Sequence, residues 1–488
     1  MNINTSFKIV TLFLLIFSFV YCHQNASVEP VLSVSENEIS FAGAGGESAL
    51  KITCDDQWSI SNSAISWLQL DQTNGSDGTF TIKITTLSTN NTGAIRSTVL
   101  NINSSNGQSR RVLVSQATLI YPSYNTSPKE PDSSGMSSNA LELAAKMGLG
   151  INIGNTLEAP GGENGWEGNN LGWNPMVTEE YVLKLKESGF NAVRIPCGWN
   201  ISHLADKDKA LIDANWMNRV KEVIGYCVSN NMYVLLNIHW DGGWLENNCT
   251  TLKKDSVNAK QKAFWEQIAT AMRDFDEHLM FASANEPNTS NSEEMSVLLS
   301  YHQTFVDAVR STGGRNSYRV LVIQGDAELF GVDDFPTDPT PNRMMYEWHN
   351  YTPYQFCALG DDASWGKMFY YWGAGNHSTI EPERNATWGE EEEQIKGFEM
   401  LQTDFLDKGI PVLLGEYGAY RRGNSANVPK DLEKHNASVD YWNTFVTTQA
   451  TSRGVVPFFW DTGAVFNRTN ATVNDQRLLD AILAGAAE

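Results

Sequence analysis

Gly189-Phe190-Asn191-Ala192-Val193-Arg194-Ile195-Pro196 and Tyr233-Val234-Leu235-Leu236-Asn237-Ile238-His239 are the stretches on which the fold turns. Each is a short apolar run that closes on a polar side chain, and a helical period at 216–230 separates them. Runs of this kind read as strands buried on both faces, the mark of a parallel sheet covered by helices. Six more follow the same grammar, at 150–154, 279–284, 320–324, 344–348, 412–416 and 455–460. Helical periods lie between them at 179–188, 261–277, 298–311, 392–408 and 437–451. Another, at 140–147, precedes the first strand, and one at 476–483 closes the chain. Repeated strand–helix units over residues 137–488 predict the α/β class and a (β/α)8 TIM barrel. The competitor is a doubly wound open sheet, which needs a glycine-rich phosphate loop after its first strand. Gly150-Ile151-Asn152-Ile153-Gly154-Asn155 lacks that spacing.

Residues 28–119 are written differently. Alternating runs such as Thr79-Phe80-Thr81-Ile82-Lys83-Ile84 and Ser97-Thr98-Val99-Leu100-Asn101-Ile102 sit between Gly, Asn and Ser clusters. Period two with such turns predicts a small all-β, immunoglobulin-like sandwich. The Pro, Ser and Gly content of 120–136 reads as a linker. At the start, Lys8 precedes an apolar run from Ile9 to Tyr21, too short to cross about 30 Å of hydrocarbon. Residues 1–22 therefore read as a signal peptide, which makes the protein secreted or cell-surface. Cys22 is a candidate for an outer-membrane lipid anchor, although Tyr21 is large for the residue before a lipidated cysteine. The other five cysteines show no metal-ligand spacing and read as buried thiols. A formal net charge of −22 argues against nucleic acid and anionic membranes as partners and permits a neutral ligand. Oligomeric state is silent in the sequence.

In a barrel of this class the working residues project from the C-terminal ends of the strands. Those ends carry Asn155, Arg194, His239, Asn285 with Glu286, His349 with Tyr351, Glu416 and Trp460. The set holds two carboxylates on different strands and no cofactor loop, and it suggests no metal. Two such glutamates suit glycosidic-bond hydrolysis, in which one is protonated and the other ionised. Burial and nearby charge are expected to push their pKa values apart. The plainer alternatives make Arg194 a bridge between strands, His239 and His349 core histidines, and Trp460 a packing residue.

Several motifs carry a resemblance to glycoside hydrolase family 5. Asn285-Glu286-Pro287 resembles its acid/base motif, and Leu413-Leu414-Gly415-Glu416-Tyr417-Gly418 its nucleophile strand. The runs at 189–196 and 233–239, Glu347-Trp348-His349-Asn350-Tyr351, and Phe458-Phe459-Trp460-Asp461 resemble its strands two, three, six and eight. The likeness spans roughly residues 140–485. It implies a retaining endo-glycanase needing no cofactor, with Glu286 as acid/base, Glu416 as nucleophile and their carboxyls about 5–5.5 Å apart. Arg194 then holds Glu416 ionised, Tyr351 bonds to it, and Asn285 donates to the sugar 2-hydroxyl. His239 and His349 order the site and bond sugar hydroxyls, and Trp460 faces the sugar that is attacked. Asn155, Trp173, Trp240 and Trp244 join Trp460 as candidate substrate-binding residues. Where members often carry a second histidine after His239, this chain has Trp240, followed by Asp241-Gly242-Gly243-Trp244.

Gly154-Asn155-Thr156-Leu157-Glu158-Ala159 and Trp173-Asn174-Pro175 resemble subfamily 4, which implies β-1,4-glucans as substrates: cellulose derivatives, mixed-linkage glucan or xyloglucan. A mannanase on the same scaffold and a barrel that binds glucan without cutting it are the alternatives. The N-terminal sandwich resembles the BACON type through Gly43-Ala44-Gly45-Gly46, Trp58-Ser59-Ile60, Trp67-Leu68 and Val112-Leu113-Val114-Ser115-Gln116. Its expected task is that of a spacer, with weak glycan binding as the second reading. Trp58 and Trp67 suit the sandwich core as well as a sugar-facing surface.

Overall fold

The structure is a computed structural model that describes residues 31–43, 45–90, 94–118, 121–423 and 427–487. The leader at 1–22 and Cys22 lie outside the described residues. No described helix is long and apolar enough to cross a membrane.

The N-terminal unit is a sandwich of two β-sheets. One orders the strands Leu32–Val34, Glu47–Cys54, Gly78–Thr86 and Leu68–Leu70. The other orders Glu38–Phe41, Ser109–Gln116, Arg96–Ser104, Trp58–Ser61 and Asn74–Gly75. Alternation does the work: Leu50, Ile52, Ile82, Ile84, Leu100, Ile102, Val112 and Val114 are fully buried, while the residues between them are mostly partly or fully exposed. Trp58 belongs to this core. It meets Phe80 edge-on at 5.3 Å, and its ring fills the space a side chain at Gly75 would need. Trp67 is half-buried.

The second unit is a closed parallel barrel with consecutive strand order. Its strands are β1 (Gly150–Ile153), β2 (Ala192–Ile195), β3 (Tyr233–Asn237), β4 (Leu279–Ala282), β5 (Leu321–Gln324), β6 (Met344–Asn350), β7 (Val412–Tyr417) and β8 (Val456–Asp461). The helices of two turns or more in this unit are α1 (Ala140–Met147), α2 (Glu179–Glu187), α3 (Ala214–Ser229), α4 (Lys254–Met272), α5 (Ser292–Ser311), α6 (Glu391–Asp404), α7 (Leu432–Thr451) and α8 (Gln476–Ala487). The fifth unit departs from strict repetition: between β5 and β6 the chain makes only the 3-10 turn Val332–Asp334.

Side-chain parity explains both the core and the site. Outward residues such as Val193, Ile195, Val234, Leu236, Leu279, Phe281, Leu321 and Leu414 bury against the helices in one apolar cluster. Inward residues of the lower barrel, among them Ala192, Leu235, Met280, Val322, Met345, Leu413 and Phe458, form a second cluster with α1. Two residues further along each strand, the same inward parity delivers Arg194, Asn237, Gln324, Glu347 and Trp460. Apolar layers therefore floor the barrel and a polar layer crowns it.

Residues 121–136, expected as a linker, lie against the barrel with defined contacts. Backbone amides of Tyr124 and Asn125 donate to buried Glu266, at 2.6 and 3.2 Å. Lys129–Pro131 pairs in parallel with Gly313–Gly314, and Arg273 donates to the Ser127 carbonyl at 2.9 Å.

Candidate active site

Arg194 organises the crown of the barrel. Its fully buried guanidinium sets Nε 2.8 Å from Glu347 Oε1 and donates from one amino nitrogen to Glu416 Oε1 at 2.7 Å and to Asn152 Oδ1 at 3.0 Å. The other amino nitrogen donates to Asn285 Oδ1 at 2.6 Å. Three strands, β1, β6 and β7, are thereby tied to one side chain on β2, together with the turn beyond β4. A buried guanidinium requires such charged partners, because an unpaired one would be far from water.

Glu416 reaches this cluster through a break in register. Trp348 pairs with Leu414 but His349 pairs with Glu416, so Gly415 is the extra residue of a bulge in β7. The bulge turns Glu416 to the inward side, where strict alternation would have turned it away. Position 415 must be glycine, since a Cβ there would fall 2.2 Å from Glu347 Oε1. Tyr351 completes the setting, its hydroxyl donating to Glu416 Oε2 at 3.1 Å.

Glu286 is held differently. It follows Asn285 beyond the end of β4 with a left-handed φ of 49°, a conformation a glutamate adopts only where its surroundings impose it. Its amide donates to Gln324 Oε1 at 2.6 Å, and its carboxylate accepts from His349 Nδ1 at 2.9 Å. The other imidazole nitrogen, Nε2, lies 3.0 Å from Glu347 Oε1. One donor atom each from Glu286, His349 and Glu416 lie within 4.8 Å of one another. The trio is close enough to hold a metal ion, but its groups are already engaged with one another, with Arg194 and with Tyr351.

The charges settle accordingly. Burial would strip His349 of its proton, but Glu416, Glu286 and Glu347 outweigh it and raise its pKa to about 9. The hydrogen bond from His349 holds Glu286 below the ordinary carboxylate range, against burial. Burial raises Glu416, and the pull of His349 and Arg194 does not cancel it. Glu347 is lowered, because Arg194 and His349 outweigh its burial. Burial drives His239 well below the usual histidine value, with Arg194 and His349 adding to it, so this ring is neutral. The two glutamates are pushed apart, as expected, but in the ligand-free site Glu286 is the lower of the two.

A family model for cellulases of glycosyl hydrolase family 5 matches residues 157–465. The chain belongs to glycosyl hydrolase family 5. A BACON model, described as an N-terminal binding domain, matches residues 57–117. Among curated proteins, a xyloglucan-specific endo-β-1,4-glucanase of Bacteroides ovatus is 30% identical across 98% of this chain and 96% of its own length. Endoglucanase A of Paenibacillus barcinonensis is 30% identical over 76% of this chain and 96% of that protein. The solved structure of a Bacteroides ovatus family 5 xyloglucanase with a XXXG heptasaccharide superposes with a TM-score of 0.68 at 29% identity, covering 94% of this chain and all of that one.

Around this family 5 centre the aromatic candidates divide. Trp460 is half-buried over Gly154, where a Cβ would come within 2.7 Å of its ring, and lies parallel to His239 at 5.9 Å. His239 itself accepts from Asn237 at Nδ1, 3.2 Å away. Beside them a pocket of 240 Å³ is lined by Asn155, Trp173, His239 and Trp240. The Trp173 and Trp240 side chains stand 64% and 53% exposed, too open for packing residues of that size. Trp244 corrects the sequence reading. Its ring packs edge-on against Phe264 of α4 at 5.4 Å with Lys260 above it, so it belongs to the helix shell rather than to the pocket. Of the long-loop tryptophans, Trp372 is likewise buried and donates to the Gly389 carbonyl.

Glu347, Asn152 and Gln324 were not singled out from sequence. Glu347 carried a signal: a charged residue at inward parity inside an apolar strand run. Asn152 carried a weaker one, a lone polar residue within Gly150-Ile151-Asn152-Ile153.

Proposed function

We propose that the chain hydrolyses internal β-1,4 bonds of plant glucans with retention of configuration, with xyloglucan as the preferred polymer. The observation that carries this reading is the approach of Glu286 and Glu416 to within 4.8 Å, a spacing that leaves no room for water behind the sugar and suits direct attack. Glu416 attacks the anomeric carbon while Glu286 gives a proton to the departing glycosidic oxygen. The glycosyl–Glu416 ester is then cleaved by water that Glu286 deprotonates. Arg194 and Tyr351 hold the attacking carboxylate in line, and Arg194 aligns Asn285 for the sugar 2-hydroxyl.

The proton that Glu286 needs is stored 2.9 Å away on His349 Nδ1. The Glu286 side chain is 54% exposed in the free site, so a bound sugar removes water from it and favours its neutral form. The proton then crosses to Glu286 and leaves His349 neutral. Trp460 and neutral His239 meet the attacked sugar, and Trp173 and Trp240 stack against the units before it.

Xyloglucan rather than mannan is favoured by the likeness to the Bacteroides ovatus enzyme over nearly the whole of both chains, N-terminal module included. The test is reducing-end release on tamarind xyloglucan, barley mixed-linkage glucan, carboxymethyl cellulose, mannan and xylan. Highest kcat/KM on xyloglucan is expected; best activity on mannan or xylan would contradict the substrate, and silence on every glucan would contradict the function. We further propose export through residues 1–22, with the sandwich as a spacer. Membrane fractionation of the full chain and of Cys22→Ser distinguishes a lipid anchor from free secretion.

A further inference from the structure

A groove of 530 Å³ opens beside Glu286, walled by Asn247, Asn288, Gln324 and Asp326. It is more than twice the volume of the pocket at Trp173 and Trp240, and the two share no lining residue. Their chemistry also differs. The smaller pocket presents indole rings from the β1–β3 sector of the rim. The groove belongs to the loops after β3, β4 and β5, and its wall contains amides, hydroxyls and carboxylates but no aromatic ring.

The direction of bond cleavage assigns the two sides. The acid must touch the oxygen that departs with the leaving sugar, whereas the attacked sugar lies over Glu416, Trp460 and His239. The groove that includes Glu286 in its wall is therefore on the leaving-group side. Its polar wall is braced. Asn288 donates from its backbone to the Glu246 carbonyl at 3.0 Å and from its side chain to Asn247 Oδ1, which ties the β4 loop to the β3 loop. Asp326 Oδ1 accepts from the Glu328 amide at 2.9 Å, which fixes the carboxylate in the groove wall.

We infer that this groove binds a branched leaving unit, with Asp326 and Asn288 hydrogen-bonding the hydroxyls of a xylosyl branch on the glucose next to the cleaved bond. The inference rests on the xyloglucan reading above. A sugar held by hydrogen bonds to fixed polar groups is discriminated more sharply than one that only stacks, because its absence leaves those groups unpaired. The volume leaves room for a branch beside a backbone glucose.

The experiment compares full-length wild type, Asp326→Ala and Asn288→Ala on three substrates: xyloglucan, unbranched mixed-linkage glucan, and an aryl β-cellotrioside whose leaving group is not a sugar. Melting curves confirm that the variants fold. Each substitution is expected to lower kcat/KM on xyloglucan about tenfold more than on the aryl glycoside, the scale of one hydrogen bond to a charged or fixed partner. The loss on unbranched glucan should fall between the two. Equal losses on all three substrates, or none, overturn the assignment of the groove. A wild type that cleaves the aryl glycoside and linear glucan but not xyloglucan overturns the substrate reading itself, and the branch contact with it.

Discussion

The β4 and β7 ends of the barrel each present one glutamate and hold it in opposite ways. Glu416 sits inside a strand, 5% exposed, with Arg194 on one oxygen and Tyr351 on the other. Glu286 stands beyond its strand in a left-handed turn, with its side chain half in solvent and His349 as its carboxylate partner. The difference suits the tasks proposed for the two residues. A nucleophile must keep one position, which a donor on each carboxylate oxygen secures, and here those donors work against the burial that raises its pKa. An acid that later serves as base must change protonation state twice, which an exposed carboxyl beside a titrating imidazole permits.

Replacing each glutamate by Gln breaks the comparison at its strongest point. Glu416→Gln should lower kcat/KM by about 10⁴-fold or more on polymers and aryl glycosides alike, because no other group can form the ester. Glu286→Gln should cost about 10²–10⁴-fold on polymers and clearly less on an aryl glycoside with an acidic phenol, whose departure needs little help from a proton. Equal sensitivity of the two variants to leaving-group acidity would remove the distinction between the two ends.

The pH profile sharpens the comparison. The Glu286–His349 pair must hold its shared proton, so kcat/KM should be sustained below about pH 9 and fall as pH rises through that value. In His349→Ala the alkaline limb should move to lower pH. On the acid side Glu416 must be ionised, so activity should fall as pH drops through a value above the ordinary glutamate range. The same linkage bears on stability: the raised His349 pKa favours the folded state fully below its ordinary value near 6.5, and that gain disappears as pH rises through about 9. A smaller effect is expected at the aromatic pocket. Trp240→Ala should raise KM on polymers by up to about tenfold, in line with about 0.5–1.5 kcal/mol for a ring contact, with kcat little changed. Trp244→Ala should instead lower the melting temperature, as loss of a packed indole does.

The two ends were not equally legible in sequence. Asn285-Glu286-Pro287 and Gly415-Glu416 each announced a carboxylate at a strand end, and the parity of apolar runs placed Arg194 and Trp460 at the rim. The register shift at Gly415 was not legible. It accompanies a contact that only the fold creates, the Glu347 carboxylate lying against Gly415, 68 positions away in sequence. The end of β6 was not legible either: the run reads as ending at Trp348, whereas pairing with β7 carries the strand on to Asn350. Tryptophans in glycine-rich loops could not be sorted by composition: Trp173 and Trp240 reach solvent, while Trp244 meets Phe264, and only the path of the loop decides which. The strap at 121–136 was hidden for a related reason. Its hydrogen bonds are made by backbone amides, which any sequence supplies, to a carboxylate at Glu266 far along the chain.

Trapping the covalent intermediate tests the central claim most directly. The full-length chain would be incubated with a 2-deoxy-2-fluoro-β-cellotriosyl fluoride, digested and mapped by mass spectrometry. A stoichiometric glycosyl adduct on Glu416, absent from Glu416→Gln, is the predicted result. An adduct on Glu286 or Glu347, or turnover without any adduct and with the α-anomer as first product, would contradict the account.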